Sequence, residues 1–207
     1  YLLEKSRVIC PGPGERNYHF FYQFLSGADQ QTSQYYQLYS ASDFFYLNQS
    51  GCYQVNTIDD VKEYAECVQS MNTIGFTQQE QQDVHTIIAG VLHLGNTHFQ
   101  EGGKGGAQVA HPQELQLAAT YFQVDPQPLT KALTFRVVQT GRGGGRGSTY
   151  NVPQNVEQAG GARDALARDV YSKMFDWLVA KVNAALQKFG MQHQCVVGIL
   201  DIFGFEI

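Results

Sequence analysis

Two residues near the end of the chain, Asp201 and Gly204, have the types and the spacing to handle a nucleotide phosphate. They follow residues 196–200, in which Gly198 is the only residue that is not Val, Ile or Leu. Such a run is typical of a strand buried on both faces of a parallel sheet, and ligands of α/β sheets bind at the carboxyl ends of the strands. A carboxylate there can hold Mg²⁺ through a bound water, and a glycine N–H can approach a phosphate. The pattern predicts a switch element of a nucleoside triphosphatase, although plain buried strands also end in Asp at turns.

The wider string around these residues favours the nucleotide-binding interpretation. Residues 200–206, Leu-Asp-Ile-Phe-Gly-Phe-Glu, resemble the switch II segment of the myosin motor domain. The resemblance implies that Asp201 helps to hold Mg²⁺ through water, that the Gly204 N–H binds the γ-phosphate of ATP, and that Glu206 pairs with an arginine of switch I. Glu206 and Gly204 are then the catalytic residues, and Asp201 and Gly204 bind the nucleotide. The arginine partner of Glu206 is expected upstream of residue 1.

A second candidate region is the glycine-rich stretch at residues 141–147. It contains five glycines and two arginines, Arg142 and Arg146, so it is unsuited to regular structure and is locally cationic. Arginine-glycine runs also occur in RNA-binding tails. A solvated loop is the simpler interpretation, and these residues alone leave both open.

The residues that follow the glycine stretch resemble a second part of the myosin head. Residues 148–159, Ser-Thr-Tyr-Asn-Val-Pro-Gln-Asn-Val-Glu-Gln-Ala, contain the Val-Pro-x-Asn pattern of that family. In myosins the segment before this pattern is a surface loop that meets actin. The position of Ser148 is acidic in most myosins, whereas class I myosins of the amoeboid type have a Ser or Thr there that a heavy-chain kinase phosphorylates. The resemblance implies an actin-binding loop that includes five candidate contact residues: Arg142, Arg146, Ser148, Thr149 and Tyr150.

Ser148 is the predicted phosphorylation site within that loop. It matches both the position and the Arg-x-Ser-x-Tyr pattern that resembles the preferred target of the kinase. Thr149 ranks second, because with Thr149 as the target Tyr150 would follow by one residue instead of two.

Capping residues and apolar spacing predict the helices that position these sites. Thr77 and Glu80 form a capping box before an apolar stripe, which Gly95 and Asn96 would close as a left-handed C-cap. Pro112 and the pair Asp125-Pro126 mark two further starts. Residues 31–56 are expected to form short helices and loops, and residues 102–106 a flexible surface loop. The remaining predicted helices begin at Gly14 and near residues 57–60, and a final helix runs from about Ala162 to Phe189.

The apolar faces of these helices give the predicted core. The helix after residue 60 presents Val61, Tyr64, Val68 and Met71. The final helix presents Leu166, Val170, Met174, Leu178, Val182 and Leu186, with Phe175, Trp177 and Phe189 also expected inside.

Three more segments resemble the myosin head. Residues 1–8 are similar to the segment beyond switch I that closes a strand of the central sheet, and residues 14–23 to the Gly-Glu-Arg-Asn helix. Residues 74–96 share the patterns Ile-Gly-Phe and Leu-His-Leu-Gly-Asn. We expect His19 to be packed and hydrogen-bonded, and His93 to be structural.

The composition favours a cytosolic protein that does not bind nucleic acid. The chain has 207 residues, a formal net charge of −5 and 16% charged residues, which is below the typical quarter. No run approaches the ~20 apolar residues that a membrane span needs. Four cysteines without metal-binding spacing are expected to be reduced thiols: Cys10, Cys52, Cys67 and Cys195. Both ends lie within apolar, structured-looking sequence, so we expect a piece of a larger protein.

These observations predict an α/β fold, in which a mainly helical part, the upper 50-kDa subdomain, contributes strands to the central sheet of a P-loop NTPase. Residues 1–207 would be one partial myosin motor domain, from just after switch I to switch II. The resemblance implies an actin-activated ATPase that uses ATP and Mg²⁺, with this part inactive alone because the P-loop and switch I are missing. Expected partners are actin filaments, a heavy-chain kinase, light chains on a neck outside this chain, and a membrane only through a tail. The expected location is the cytoplasmic actin cytoskeleton.

Two other functions are kept as alternatives. One is a non-catalytic, myosin-like helical scaffold, which intact Asp201, Gly204 and Glu206 argue against. The other is an RNA-binding module that would depend on residues 141–147 alone.

Overall fold

Helices make up most of the chain in the computed structural model, which describes residues 3–140 and 148–189. Eight α-helices lie in that part of the chain: α1 (His19–Gly27), α2 (Gln30–Tyr35), α3 (Phe45–Asn48), α4 (Asp60–Thr73), α5 (Gln78–Gly95), α6 (Pro112–Tyr121), α7 (Pro126–Thr134) and α8 (Val156–Phe189). Four strands form two antiparallel hairpins: β1 (Phe99–Glu101) with β2 (Ala107–Val109), and β3 (Phe135–Thr140) with β4 (Ser148–Pro153). Short 3-10 helices occupy Lys5–Val8, Ala41–Asp43 and Gly103–Gly105.

Helix α5 is the centre of the fold. Every residue from Ile88 to Gly95 is buried, because α3, α6 and α8 all pack against this helix. Two glycines allow the closest approaches. A methyl group on Gly90 would lie 2.5 Å from Cε1 of Phe122, and one on Gly95 would lie 2.7 Å from Cδ2 of Tyr46. Aromatic rings therefore rest directly on the helix backbone.

A cluster of aromatic rings joins α1, α4 and α5. The His85 ring stacks on Phe24 with the centroids 4.7 Å apart, and Phe20 lies 6.0 Å away on a nearly parallel plane. The Tyr64 hydroxyl lies 3.3 Å from His85 Nε2. Burial among these rings disfavours the charged imidazolium and lowers the pKa of His85 to about 4.

Buried polar side chains connect distant segments of this core. His93 is fully buried, with Nδ1 2.7 Å from Glu114 Oε2 and Nε2 2.9 Å from the Tyr36 carbonyl oxygen. Arg163 Nη1 donates to the carbonyls of Gly95 and Thr97 at 3.1 and 3.0 Å. The structural role expected for His93 is confirmed, because both ring nitrogens are engaged by groups of the fold.

Near the start of the chain, the structure corrects three predictions. Residues 5–8 form a 3-10 helix where the resemblance implied the end of a strand. The first helix begins at His19 instead of Gly14, since the backbone at Gly14 has φ +73°. His19 is exposed and not packed, because α1 turns Phe21, Tyr22 and Phe24 toward the core instead.

The structure confirms two predicted helix caps, whereas the predicted buried faces of the helices are confirmed only in part. The Thr77–Glu80 box caps α5, and Asp125 caps α7 by accepting from Gln127 N. However, Asn96 has φ −76° and ψ −3°, so the predicted left-handed C-cap is wrong. Three residues expected in the core are exposed: Val61 (57%) and Leu186 (58%), which were assigned by helical spacing, and Trp177 (40%).

The α/β fold class is supported only in its helical part. The predicted strand at 196–200, the main evidence for a parallel sheet, lies outside the described residues, as do the predicted end of α8 at Gly190 and Cys195. The strands in the described part of the chain are antiparallel hairpins, one of which, β1–β2, contains the predicted loop at 102–106. The final helix starts at Val156, six residues before the predicted Ala162.

Two absences apply to the described residues alone. None of their helices combines the length and the apolar character of a bilayer span. Their cysteines, Cys10, Cys52 and Cys67, are all free.

Candidate functional site

The predicted site residues fall into two groups in the structure. Asp201, Gly204 and Glu206 of the switch-like string lie outside the described residues, and so do Arg142 and Arg146. The candidate site that the structure describes is therefore the hairpin β3–β4, which carries the other predicted residues: Ser148, Thr149 and Tyr150.

The two strands of this hairpin pair over their full length. Phe135 is opposite Pro153 at one end, and Thr140 is opposite Ser148 at the other. Thr, Tyr and Val are frequent in these two segments, and such residues favour extended pairing. The predicted surface loop is thus wrong for residues 148–151, which belong to strand β4. The sequence does not show this pairing directly, because residues 135–140 and their partners 148–153 are separated by the glycine-rich residues 141–147.

The base of the hairpin is fixed by Gln154, the residue after β4. Its backbone N–H donates to the Thr134 carbonyl at 2.8 Å, and its side-chain amide donates to the Leu133 carbonyl at 3.0 Å. Its own carbonyl accepts from Ala107 N at 2.7 Å. Helix α7, the hairpin β1–β2 and the hairpin β3–β4 are therefore joined at one residue.

The next residue, Asn155, caps the start of α8. Its side-chain oxygen accepts from Gln158 N at 2.8 Å, while the Gln158 side-chain oxygen accepts from Asn155 N at 3.1 Å. This reciprocal pair satisfies two backbone N–H groups at the start of the helix. Ala159 is fully buried one turn on. The Val-Pro-x-Asn pattern thus marks the place where the hairpin ends and the long helix starts.

Exposed apolar side chains cover both faces of the hairpin. Val137 is 64% exposed, Tyr150 is 55% exposed and Phe135 is 37% exposed. Thr149 and Asn151 are exposed as well. A projecting hairpin with tyrosine and valine on its surface has the composition of a partner-binding surface, since large exposed apolar side chains gain most from being covered.

The charge of this segment is opposite to that of the chain. Residues 135–153 contain three arginines, Arg136, Arg142 and Arg146, and no Asp, Glu or Lys, whereas the whole chain has a formal net charge of −5. Arg136 lies in β3, is exposed, and was missed by the sequence reasoning, which considered only the glycine stretch. A phosphate on Ser148 would add about −1.5 to −2 charges to this cationic segment and offset half or more of its charge.

Ser148 occupies the last register pair of the hairpin, opposite Thr140. No three His, Cys, Asp or Glu side chains of the described residues converge to hold a metal ion.

Comparison with known proteins agrees with the sequence resemblance. The family model described as "Myosin head (motor domain)" matches residues 1–207. The chain is 55% identical to "Myosin IB heavy chain" of Dictyostelium discoideum and 52% identical to "Myosin heavy chain IB" of Acanthamoeba castellanii. It is 42% identical to "Myosin-1" of Vanderwaltozyma polyspora.

Each of these alignments covers 100% of this chain but only 17 to 19% of the relative. The chain therefore spans less than a fifth of the length of these relatives.

Proposed function

Because this chain belongs to the myosin head (motor domain) family, we propose that it is part of an actin-based motor that hydrolyses Mg-ATP and moves along actin filaments. The observation that carries this proposal is the family match over residues 1–207, which includes both the switch-like string and the Val-Pro-x-Asn hairpin. The identities of 55% and 52% to two amoeboid myosin IB heavy chains favour class I.

For the chemistry, we propose that three residues act on ATP and Mg²⁺. Asp201 holds the metal through a bound water, the Gly204 N–H donates to the γ-phosphate, and Glu206 pairs with a switch I arginine outside this chain. Mg²⁺ supplies neutralisation of the phosphate charge, and the protein groups position the attacking water. Residues 1–207 would then belong mainly to the upper 50-kDa subdomain and contribute the strand at 196–200 to the central sheet. This part alone lacks a P-loop and is not active.

For the partner, we propose that the hairpin β3–β4 and residues 141–147, which follow β3 in the sequence, contact actin. The contact residues are Arg142, Arg146, Ser148, Thr149 and Tyr150, and exposed Arg136 and Val137 extend the surface. A heavy-chain kinase phosphorylates Ser148. The whole protein binds light chains through a neck, would meet a membrane only through a tail, and works in the cytoplasmic actin cytoskeleton.

Two alternatives predict different outcomes. A myosin-like scaffold would bind actin without turnover of ATP, and an RNA-binding module would use the arginines of 141–147. The net charge of −5 disfavours RNA as a partner.

The test uses the complete protein with its light chains. We expect it to pellet with actin filaments, to be released by Mg-ATP, and to hydrolyse ATP faster when actin is added. Its complete coding sequence should contain a Gly-x-x-x-x-Gly-Lys-Ser/Thr loop upstream of residue 1. Actin binding that ATP does not release, together with no ATP turnover, would support the scaffold and reject the motor.

A further inference from the structure

A buried ion pair joins the segment before α1 to the first turn of α4. Arg16 Nη2 donates to Asp60 Oδ2 at 2.7 Å, and the guanidinium carbon of Arg16 lies 3.9 Å from the centroid of the Tyr22 ring. The side chains of Arg16 and Asp60 are 2% and 14% exposed. Their remaining polar atoms therefore need partners within the protein interior.

Three atoms of this pair lack a hydrogen-bond partner among the described residues: Arg16 Nε, Arg16 Nη1 and Asp60 Oδ1. The two nitrogens are donors, and the carboxylate oxygen is an acceptor. Nε and Nη1 lie on different edges of the planar guanidinium, on either side of the Nη2 that already binds Asp60. A single bound atom is therefore unable to satisfy both nitrogens.

A polar cavity adjoins the Asp60 side of the pair. Its volume is about 170 Å³, and it is lined in part by Tyr22 and Asp60, the two side chains that contact Arg16. Ser26, Ser40, Tyr53 and Gln54 supply further polar groups. One water occupies about 30 Å³ in the liquid, so the cavity has room for several.

The charges of the site decide what it can bind. Arg16 is already neutralised by Asp60, so an added anion would face an unpaired carboxylate oxygen, and an added cation would face an unpaired guanidinium edge. The ligand has to be neutral, and it has to accept hydrogen bonds from Arg16 and donate one to Asp60. We propose that two ordered waters bind here, one at each free edge of the Arg16 guanidinium, and that at least one of them donates to Asp60 Oδ1. The waters complete the connection between α1 and α4.

The decisive experiment is a high-resolution crystal structure of the complete head. We expect two density peaks within about 3.2 Å of Arg16 Nε and Nη1, at least one of them also within that distance of Asp60 Oδ1. The Arg163–Asp164 pair is the internal control. Arg163 Nε and Nη2 lie 2.8 Å from Asp164, and Nη1 donates to two carbonyls, so no bridging water is expected. No density at Arg16, or a protein group from elsewhere in the chain in that place, would overturn the proposal.

A second measurement counts long-lived internal waters in solution by oxygen-17 relaxation dispersion. The double variant Arg16→Met/Asp60→Leu removes both charged partners and should lose two such waters. Replacement of a buried ion pair by apolar side chains is usually tolerated. The control Lys62→Met/Glu66→Leu removes an exposed pair of α4 and should lose none. An unchanged count in the Arg16/Asp60 variant would contradict the proposal, and if that variant fails to fold, the crystal structure of the unchanged protein still decides.

Discussion

At the residue scale, Ser148 combines a defined place in the fold with an unusual local charge. It begins β4 opposite Thr140, and the segment around it contains three arginines and no acidic residue. A permanent or added negative charge at this position would change the electrostatics of the whole hairpin surface, because charges on exposed surfaces steer charged partners.

We predict that this charge controls activation by actin. In the complete motor, Ser148→Glu should raise actin-activated ATPase several-fold above Ser148→Ala, with little change in the rate without actin. The measurement is ATPase against actin concentration for the unchanged protein and both variants, with and without a heavy-chain kinase of the amoeboid myosin I type. Thr149→Ala is the matched control and should still respond to the kinase. Equal activation of Ser148→Ala and Ser148→Glu would mean that the hairpin is not a switch.

Glu206 is the residue whose loss separates binding from hydrolysis. Its proposed role is to pair with switch I, and it makes no proposed phosphate contact, so Glu206→Ala in the complete motor should leave ATP binding largely intact. Hydrolysis should fall by at least a hundredfold, as happens when a transition-state interaction is removed. Single-turnover kinetics would measure both steps. A normal hydrolysis step would refute the role given to Glu206.

At the element scale, α5 shows how glycine serves packing instead of flexibility. In a helix interior, Gly→Ala ordinarily stabilises by up to about 1 kcal/mol. At Gly90 the added methyl would lie 2.5 Å from the Phe122 ring, a separation that requires the ring or the helix to move. Overpacking of this kind costs about 1–3 kcal/mol, so packing outweighs helix propensity at this position.

We therefore predict opposite signs for two glycine substitutions. Gly90→Ala should destabilise the complete head and speed hydrogen exchange in α5 and α6. Gly161→Ala, in α8, meets nothing within 4 Å and should leave exchange unchanged or slow it. The measurement is hydrogen exchange with mass spectrometry, resolved by peptide. Slower exchange in α5 of Gly90→Ala would show that the Phe122 ring is free to yield.

At the scale of the whole molecule, the aromatic cluster at His85 makes stability depend on pH. The pKa of His85 is lowered from 6.5 to about 4 by burial, so the folded protein holds this ring neutral where the unfolded chain takes up a proton. The free energy of unfolding therefore does not change with the titration of His85 above about pH 6.5. Below that, it falls progressively as the pH drops from about 6.5 toward 4. This lowering of the pKa of His85, from 6.5 to about 4, corresponds to roughly 3–4 kcal/mol at most, at 1.36 kcal/mol per pH unit.

The corresponding test compares His85→Phe with the unchanged protein. The variant keeps an aromatic ring against Phe24 but does not titrate, so its midpoint of chemical denaturation should fall less between pH 7 and pH 5. The control is His19→Phe, the same substitution at an exposed histidine outside the aromatic cluster. If the denaturation midpoint of His85→Phe falls as much as that of the unchanged protein, His85 is not the source of the acid sensitivity.

The sequence by itself determined the features that depend on residues close together in the chain. The Thr77–Glu80 box and the Asp125 cap were predicted correctly, since each depends on atoms two or three residues apart. The family was also within reach of the sequence, because short motifs such as residues 200–206 keep their order and spacing. The core was predicted only in part, as the exposure of Val61 and Trp177 shows.

The tertiary structure decided which surfaces meet. The pairing of β3 with β4 joins residues on both sides of a glycine stretch, and the Arg16–Asp60 pair joins residues 44 apart in the chain. Apolar spacing marks one face of a helix as suited to burial, yet α5 is buried all round from Ile88 to Gly95 while Val61 of α4 faces solvent. Local propensity does not specify how many neighbours a helix has. That number depends on the packing of segments far apart in the chain, where burial of apolar surface gains the most free energy.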